Sequence, residues 1–177
     1  MKHIVLSLAV FALTGCSALV PSAVARLYQV SPLEADPADL AVALVLPDTL
    51  DVKSRSAKIT FVAERADTGE TSNGVYTLRV RSGDGGQTVF DIADADRDDL
   101  RRQQTLIRGW KQTSGDATSG SVSVTFEGCS VGAGPSQDDT VSVLLRTQAD
   151  GDFFTLVRNA SVADALDVLE LTTIDPC

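Results

Sequence analysis

Asp94, Asp96 and Asp98 alternate in the segment Asp94-Ala95-Asp96-Arg97-Asp98, the spacing with which a calcium loop begins. A hard cation takes several oxygen ligands at about 2.3–2.6 Å, and clustered carboxylates supply them. The EF-hand pattern stops there. Its sixth position is Asp99 rather than Gly, its twelfth is Thr105 rather than Glu, and Arg97 stands in the middle. The competing reading is an acidic helix start facing solvent. The nineteen Asp and five Glu also make glycosidase-like carboxylate pairs common by chance. Two Tyr, one Trp and six Phe are few for a sugar platform, and most fall at core-like positions. Gly83-Asp84-Gly85-Gly86 is a turn and not a phosphate loop, because no Lys-Ser or Lys-Thr follows it.

The N-terminus carries a different chemistry. Met1-Lys2-His3 is a short positive start, and an apolar run from Ile4 to Leu13 is broken only by Ser7. That run is too short for a helix crossing a bilayer, which needs about 20 residues, and it suits the apolar region of a secretory signal. It ends in Leu13-Thr14-Gly15-Cys16. This ending resembles the lipobox of bacterial lipoproteins: an aliphatic residue, a small residue, Gly or Ala, then Cys. The resemblance implies cleavage before Cys16, diacylglycerol on its sulfur and an acyl chain such as palmitate on the new amino group. Leu13, Thr14 and Gly15 are then recognition positions and Cys16 the lipidation site. Several acyl chains, each contributing about 0.8 kcal/mol per buried CH₂, hold such a protein on a membrane. Ser17 follows the Cys where Asp would signal retention at the inner membrane, so the resemblance implies the outer membrane, facing the periplasm.

Processing at that point removes His3, the only histidine. No Ser-His-Asp or Cys-His set and no His-based metal site can then form. No catalytic residue is nominated, and no cofactor is expected beyond the covalent lipid and a possible calcium ion. Cys129 and Cys177 remain. In an oxidising compartment such a pair is a disulfide; a redox pair is the alternative, but the C-x-x-C spacing is absent. The net charge of −9 argues against nucleic acid and against docking on anionic lipid headgroups, which need clustered Lys and Arg.

The spacing of apolar residues predicts the elements that would position these groups. Residues 1–15 read as signal peptide, 16–37 as lipidated Cys and tether with a short strand over Arg26–Val30, and 38–177 as one β-rich domain. Leu40–Leu46 is a continuous apolar run of strand length. Lys58–Glu64 and Val75–Arg81 alternate and read as a hairpin with a long loop, Arg65–Gly74, in which Asp67-Thr68-Gly69 and Asn73-Gly74 supply turn chemistry. Thr88–Ile92, Ser121–Glu127, Thr140–Thr147 and Phe153–Arg158 are further strands, with Val122, Val124 and Phe126 inward. Asp150-Gly151 reads as a hairpin turn, and Gly128–Asp139 as a loop carrying Cys129. Over Asp96–Thr113 the period changes. Leu100, Gln103, Ile107 and Trp110 recur at helical spacing, with Arg97, Arg101, Arg102, Arg108 and Lys111 on the other side. Trp110 is either core or partner contact, and the basic side either a solvated face or a docking surface. Ser161 and Asp164 predict a capped short helix running to Leu169.

The expected fold is mostly β: an antiparallel β-sandwich-like domain with one amphipathic helix between strands and a short C-terminal helix. An α+β layer is the alternative. The expected function is a non-catalytic binding or scaffolding role in the bacterial envelope, with membrane lipid engaged through Cys16 and an envelope protein as partner. The alternative is a lipoprotein that binds a small ligand or a cation.

Overall fold

The computed structural model describes residues 18–27, 31–148, 151–164 and 174–177. Leu13, Thr14, Gly15 and Cys16 lie outside these residues, as do Asp150 and positions 165–169 of the expected C-terminal helix. Helix α1 spans Pro21–Leu27. Strands follow at Ala41–Val45 (β1), Leu50–Val52 (β2), Lys58–Arg65 (β3), Glu70–Ser82 (β4) and Gln87–Ile92 (β5). Helix α2 spans Arg97–Ser114. The remaining strands are Thr118–Thr125 (β6), Gly128–Ser130 (β7), Thr140–Arg146 (β8) and Phe154–Ser161 (β9).

Seven strands form one antiparallel sheet in the order β6-β3-β4-β5-β1-β8-β9. If flat, β6 and β8 would lie about 24 Å apart, five strand spacings. Instead Val122 and Val124 of β6 line the same cavity as Leu145 of β8. The sheet therefore curls until its two halves face one another. The fold is mostly β, antiparallel and sandwich-like, and both halves come from one continuous sheet. Alternation puts Val42, Leu44, Ile59, Phe61, Tyr76, Leu78, Phe90 and Ile92 on the inner face, where they form the core with Leu100 of α2. Phe61 and Phe90 are fully buried and contribute about 1.5–3 kcal/mol each. Ala41, Ala43 and Val89 face the other way and are also buried, which explains the unbroken apolar character of β1.

Among the described residues the outer face holds one buried carboxylate. Asp91 is 5% exposed and accepts hydrogen bonds from Arg79 Nε (2.8 Å) and Arg81 Nε (2.9 Å) on the neighbouring strand. Burial disfavours its ionised form. The two hydrogen bonds and the guanidinium charges outweigh that and hold the carboxyl below its usual range.

Four elements depart from the sequence expectations. Arg26 and Leu27, expected in a strand, belong to α1, while positions 28–30 lie outside the described residues. The expected tether is docked: Arg158 N–H donates to the Ala18 carbonyl (2.8 Å), Val20 N–H to that of Leu156 (3.0 Å), and Leu19 bridges to Val157. The long hairpin loop shrinks to a tight turn between Arg65 and Glu70. Gly69 N–H closes that turn on the Arg65 carbonyl with φ at +73°, and Asn73-Gly74 lies inside β4. Within the expected loop 128–139, β7 pairs with β2. Ser161 Oγ does accept from Asp164 N–H (3.2 Å), as the capped helix start requires.

Cys129 and Cys177 are disulfide-bonded. The C-terminal tail runs beside β7: Ser130 N–H donates to the Asp175 carbonyl (2.8 Å) and Cys177 N–H to that of Ser130 (3.0 Å). Lys53 Nζ lies 3.5 Å from Asp175 and 3.9 Å from Glu127, tying β2, β7 and the tail together.

Two outcomes follow. Cys177→Ser opens a loop closed across 48 positions and is expected to cost about 3–4 kcal/mol in the loop-entropy account, read as a lower midpoint in urea. Asp91→Ala is expected to cost about 1–2 kcal/mol, less than the loss at a fully buried pair, because both arginines reach water. The Asp91 pKa is lower folded than unfolded. Its contribution is therefore complete above the ordinary carboxylate pKa of about 4 and is lost as pH falls through the lowered value. Acid unfolding of Asp91→Asn should accordingly be less steep than that of the wild type; identical acid limbs would contradict this.

Candidate binding cleft

Helix α2 shapes the inner face at the β6 end of the sheet. Gln103 is buried, and its Nε2 donates to the Phe61 carbonyl (3.2 Å) and to Ser72 Oγ (3.1 Å). It can lie this close because Gly74 is directly beneath: a Cβ there would collide with the Gln103 side chain. Tyr76 Oη is 3.0 Å from Asp99 Oδ2 and 3.1 Å from Gln103 Oε1, and its single proton serves one of them at a time. Burial, then the hydrogen bond to Asp99, pushes the Tyr76 hydroxyl up to about 12. That hydrogen bond, followed by the one from Arg102, holds Asp99 below its usual range. Ile107 and Trp110 cover Ala63 beside Leu33, so Trp110 is a core residue.

The same helix fixes the segment before β1. Gln104 Nε2 donates to the carbonyls of Pro32 (2.8 Å) and Ala35 (2.9 Å), and Arg101 pairs with Asp36 at 2.8 Å. Backbone donation from Ala38, joined by the Arg101 hydrogen bond and charge, lowers the Asp36 pKa against the opposing cost of burial. Pro32 and Leu33 are thereby held against the sheet.

Two apolar recesses result. The first, of about 280 Å³, lies between β6 and the end of β8, with Phe61, Phe90, Ile92 and Val42 as its floor. The second, of about 320 Å³, lies beneath α2 and is walled by Leu33, Ala63, Ile107 and Gly120, with Lys111 at its margin. Pro32, Phe61 and Val122 border both, so the recesses are adjoining parts of one cleft along the inner side of β6. Val122, expected to be inward, sits at this opening and is 40% exposed. The cleft offers a ligand apolar contact. Lys111 and Arg146 are the ionisable residues along it, and no carboxylate or thiol lines it among the described residues.

The calcium candidates are not brought together. Asp94 pairs with Arg97 (2.8 Å) and lies 3.6 Å from Arg79, while Asp98 pairs with Arg101 (3.0 Å). Asp96 lies in the single 3₁₀ turn, Asp94–Asp96, that leads into α2. No group of three metal-ligating side chains occurs among the described residues. These ion pairs also occupy much of the basic side of α2: Arg97, Arg101 and Arg102 each face an aspartate. The residues that build the cleft, Gln103, Gln104, Gly74 and Pro32, carry no motif. The polar Gln103 at a core-facing helical position is the single sequence signal that points to them.

Because the Asp94 and Asp98 carboxylates are directed to arginines, millimolar calcium is expected to leave the melting temperature of the protein unchanged. A rise that Asp94→Asn abolishes would overturn this.

No protein-family model, curated protein or solved structure matches the chain, so its cleft is read from its own residues.

Proposed function

We propose that the chain is a lipid-anchored, non-catalytic binding protein of the bacterial envelope, held in the outer membrane through acylated Cys16 and facing the periplasm. Leu13-Thr14-Gly15-Cys16 at the end of a short apolar run supports the anchor. The disulfide supports an oxidising compartment. The observation that carries the binding role is the apolar cleft along β6, which offers shape and apolar contact and has no carboxylate or thiol along its wall among the described residues. Ala18 and Val20 are hydrogen-bonded to β9 only a few residues after Cys16, so in this reading the domain is held at the lipid surface without slack. A small apolar ligand in the first recess is the second reading, favoured by the size and apolar lining of that recess.

Growth with radiolabelled palmitate tests the anchor. The wild type is expected to carry label and to sediment with outer membranes, whereas Cys16→Ser is expected to carry none and to accumulate uncleaved. An unlabelled wild type would overturn the anchored reading.

A further inference from the structure

We infer that β6 is a strand-addition site that takes an extended segment of a partner protein with apolar side chains at alternate positions. This deepens the binding role proposed above and rests on it for the identity of the site as a binding site.

The hydrogen-bond pattern comes first. Ala66 N–H donates to the Ala117 carbonyl (2.8 Å). In the unbroken register from Arg65–Thr118 to Lys58–Thr125, every second pair is therefore hydrogen-bonded: Ser119, Ser121, Ser123 and Thr125 bond to β3. The N–H and C=O groups of Gly120, Val122 and Val124 point the other way, along the free edge. Among the described residues β6 pairs with β3 alone, and Gly120 and Val122 are exposed. An unpaired ladder is matched in full by another extended backbone and by no compact ligand.

The edge also lacks the usual safeguards. Thr118–Thr125 reads TSGSVSVT, without a charge, a proline or a bulge. The opposite edge, β9, is covered by residues 18–20. Among the described residues, the chain thus closes one edge and leaves the other open.

The cleft supplies the side-chain chemistry. Both recesses lie on the inner side of β6, one after the other along the strand. Residues two apart on an incoming strand share a face and stand about 6.8 Å apart, so successive alternate residues enter successive recesses. Both walls are apolar. Lys111, at the margin of the second recess, has no ion pair among the described residues, so a carboxylate next to the apolar pair fits there. A second copy of β6 fits less well, because Thr118–Thr125 carries no carboxylate to meet Lys111.

The test uses the full-length chain from a Gram-negative host, purified in phospholipid nanodiscs. The probe is an acetylated peptide of sequence Thr-Val-Thr-Leu-Thr-Val-Asp. Its controls are the same peptide N-methylated at alternate residues in either phase, a scrambled peptide, and decanoate. The peptide is expected to bind and to slow hydrogen exchange at Gly120, Val122 and Val124, leaving Ser121 and Ser123 unchanged. One N-methyl phase and the scrambled peptide should each bind at least tenfold more weakly. Val122→Pro removes one outward N–H and no bond to β3, and should weaken binding at least tenfold while keeping the circular dichroism of the wild type. If that variant does not fold, the N-methylated peptides decide alone.

The proposal is overturned by any of four results. These are no peptide binding at millimolar concentration, binding indifferent to both N-methyl phases, protection mapping away from β6, and a peptide-free dimer that already protects these amides. Decanoate binding with no peptide binding also overturns it and favours the small-ligand reading. Palmitate labelling is scored separately: peptide binding by an unlabelled protein removes the anchor and leaves the β6 site, and the converse result does the reverse.

Discussion

A sheet that curls without closing leaves two edges, and the backbone N–H and C=O groups along each must bond to something. This constraint organises the molecule. At β9 the obligation is met from within the chain, by Ala18 and Val20, and α1 follows at once with Ala23 buried and Arg26 stacked 5.0 Å from the Phe154 ring. At β6 no described residue pairs with the outer edge. The two edges differ in composition as well: β9 carries Arg158 and its pairing with β8 is irregular, whereas β6 is uncharged and in unbroken register with its neighbour.

Helix α2 packs on the β6-β3-β4 part of the curled sheet. A helix crossing the β3–β4 end of the sheet must bring polar groups against strand backbone, and it does so with paired partners. Gln103 reaches the Phe61 carbonyl through the space left by Gly74, and Gln104 takes two carbonyls of the preceding segment. Buried amides of this kind stabilise only while every partner is present, since an unsatisfied buried amide costs about 1–3 kcal/mol. They add direction to a core that apolar contact alone would not orient. Pro32 and Leu33 form a wall of the cleft because two carbonyls of their segment, those of Pro32 and Ala35, are pinned to the helix.

How much of this is legible in the sequence depends on the range of the interaction. The inserted helix is readable because Leu100, Ile107 and Trp110 report a local period. The strand at Lys58–Arg65 is readable for the same kind of reason, since its apolar residues alternate. The β3–β4 turn is not. Asn73-Gly74 has the chemistry of a turn, but Gly74 is small because Gln103, distant in sequence, lies over it. Residues 18–27 lack strand or helix periodicity, and their docking depends on β9, more than a hundred positions away. The disulfide is legible from the Cys count together with the oxidising compartment that the N-terminal resemblance implies. The cleft is illegible: it exists because β6 and β8 approach across four intervening strands, and alternation within a strand says nothing of strand order. The spacing of Asp94, Asp96 and Asp98 has the opposite fault. It is conspicuous in one dimension, yet the start of a helix sends successive side chains in different directions, and arginines one turn on claim two of them.

An open, uncharged edge is normally an aggregation hazard, and the geometry around β6 explains how one can persist. The edge does not face outward from a flat sheet, where another sheet might extend it indefinitely. It opens onto a cleft bounded by the end of β8 and by the pinned segment around Pro32. A single extended segment can enter such a gap, but a second sheet would have to bring its neighbouring strands through those walls. The serines that alternate with Val122 and Val124 keep the outer side of β6 polar, so partial exposure does not create a large apolar patch. Curvature thus does at β6 what charges or prolines do on other edges: it limits addition to one strand, and it places the apolar recesses where the side chains of that strand fall.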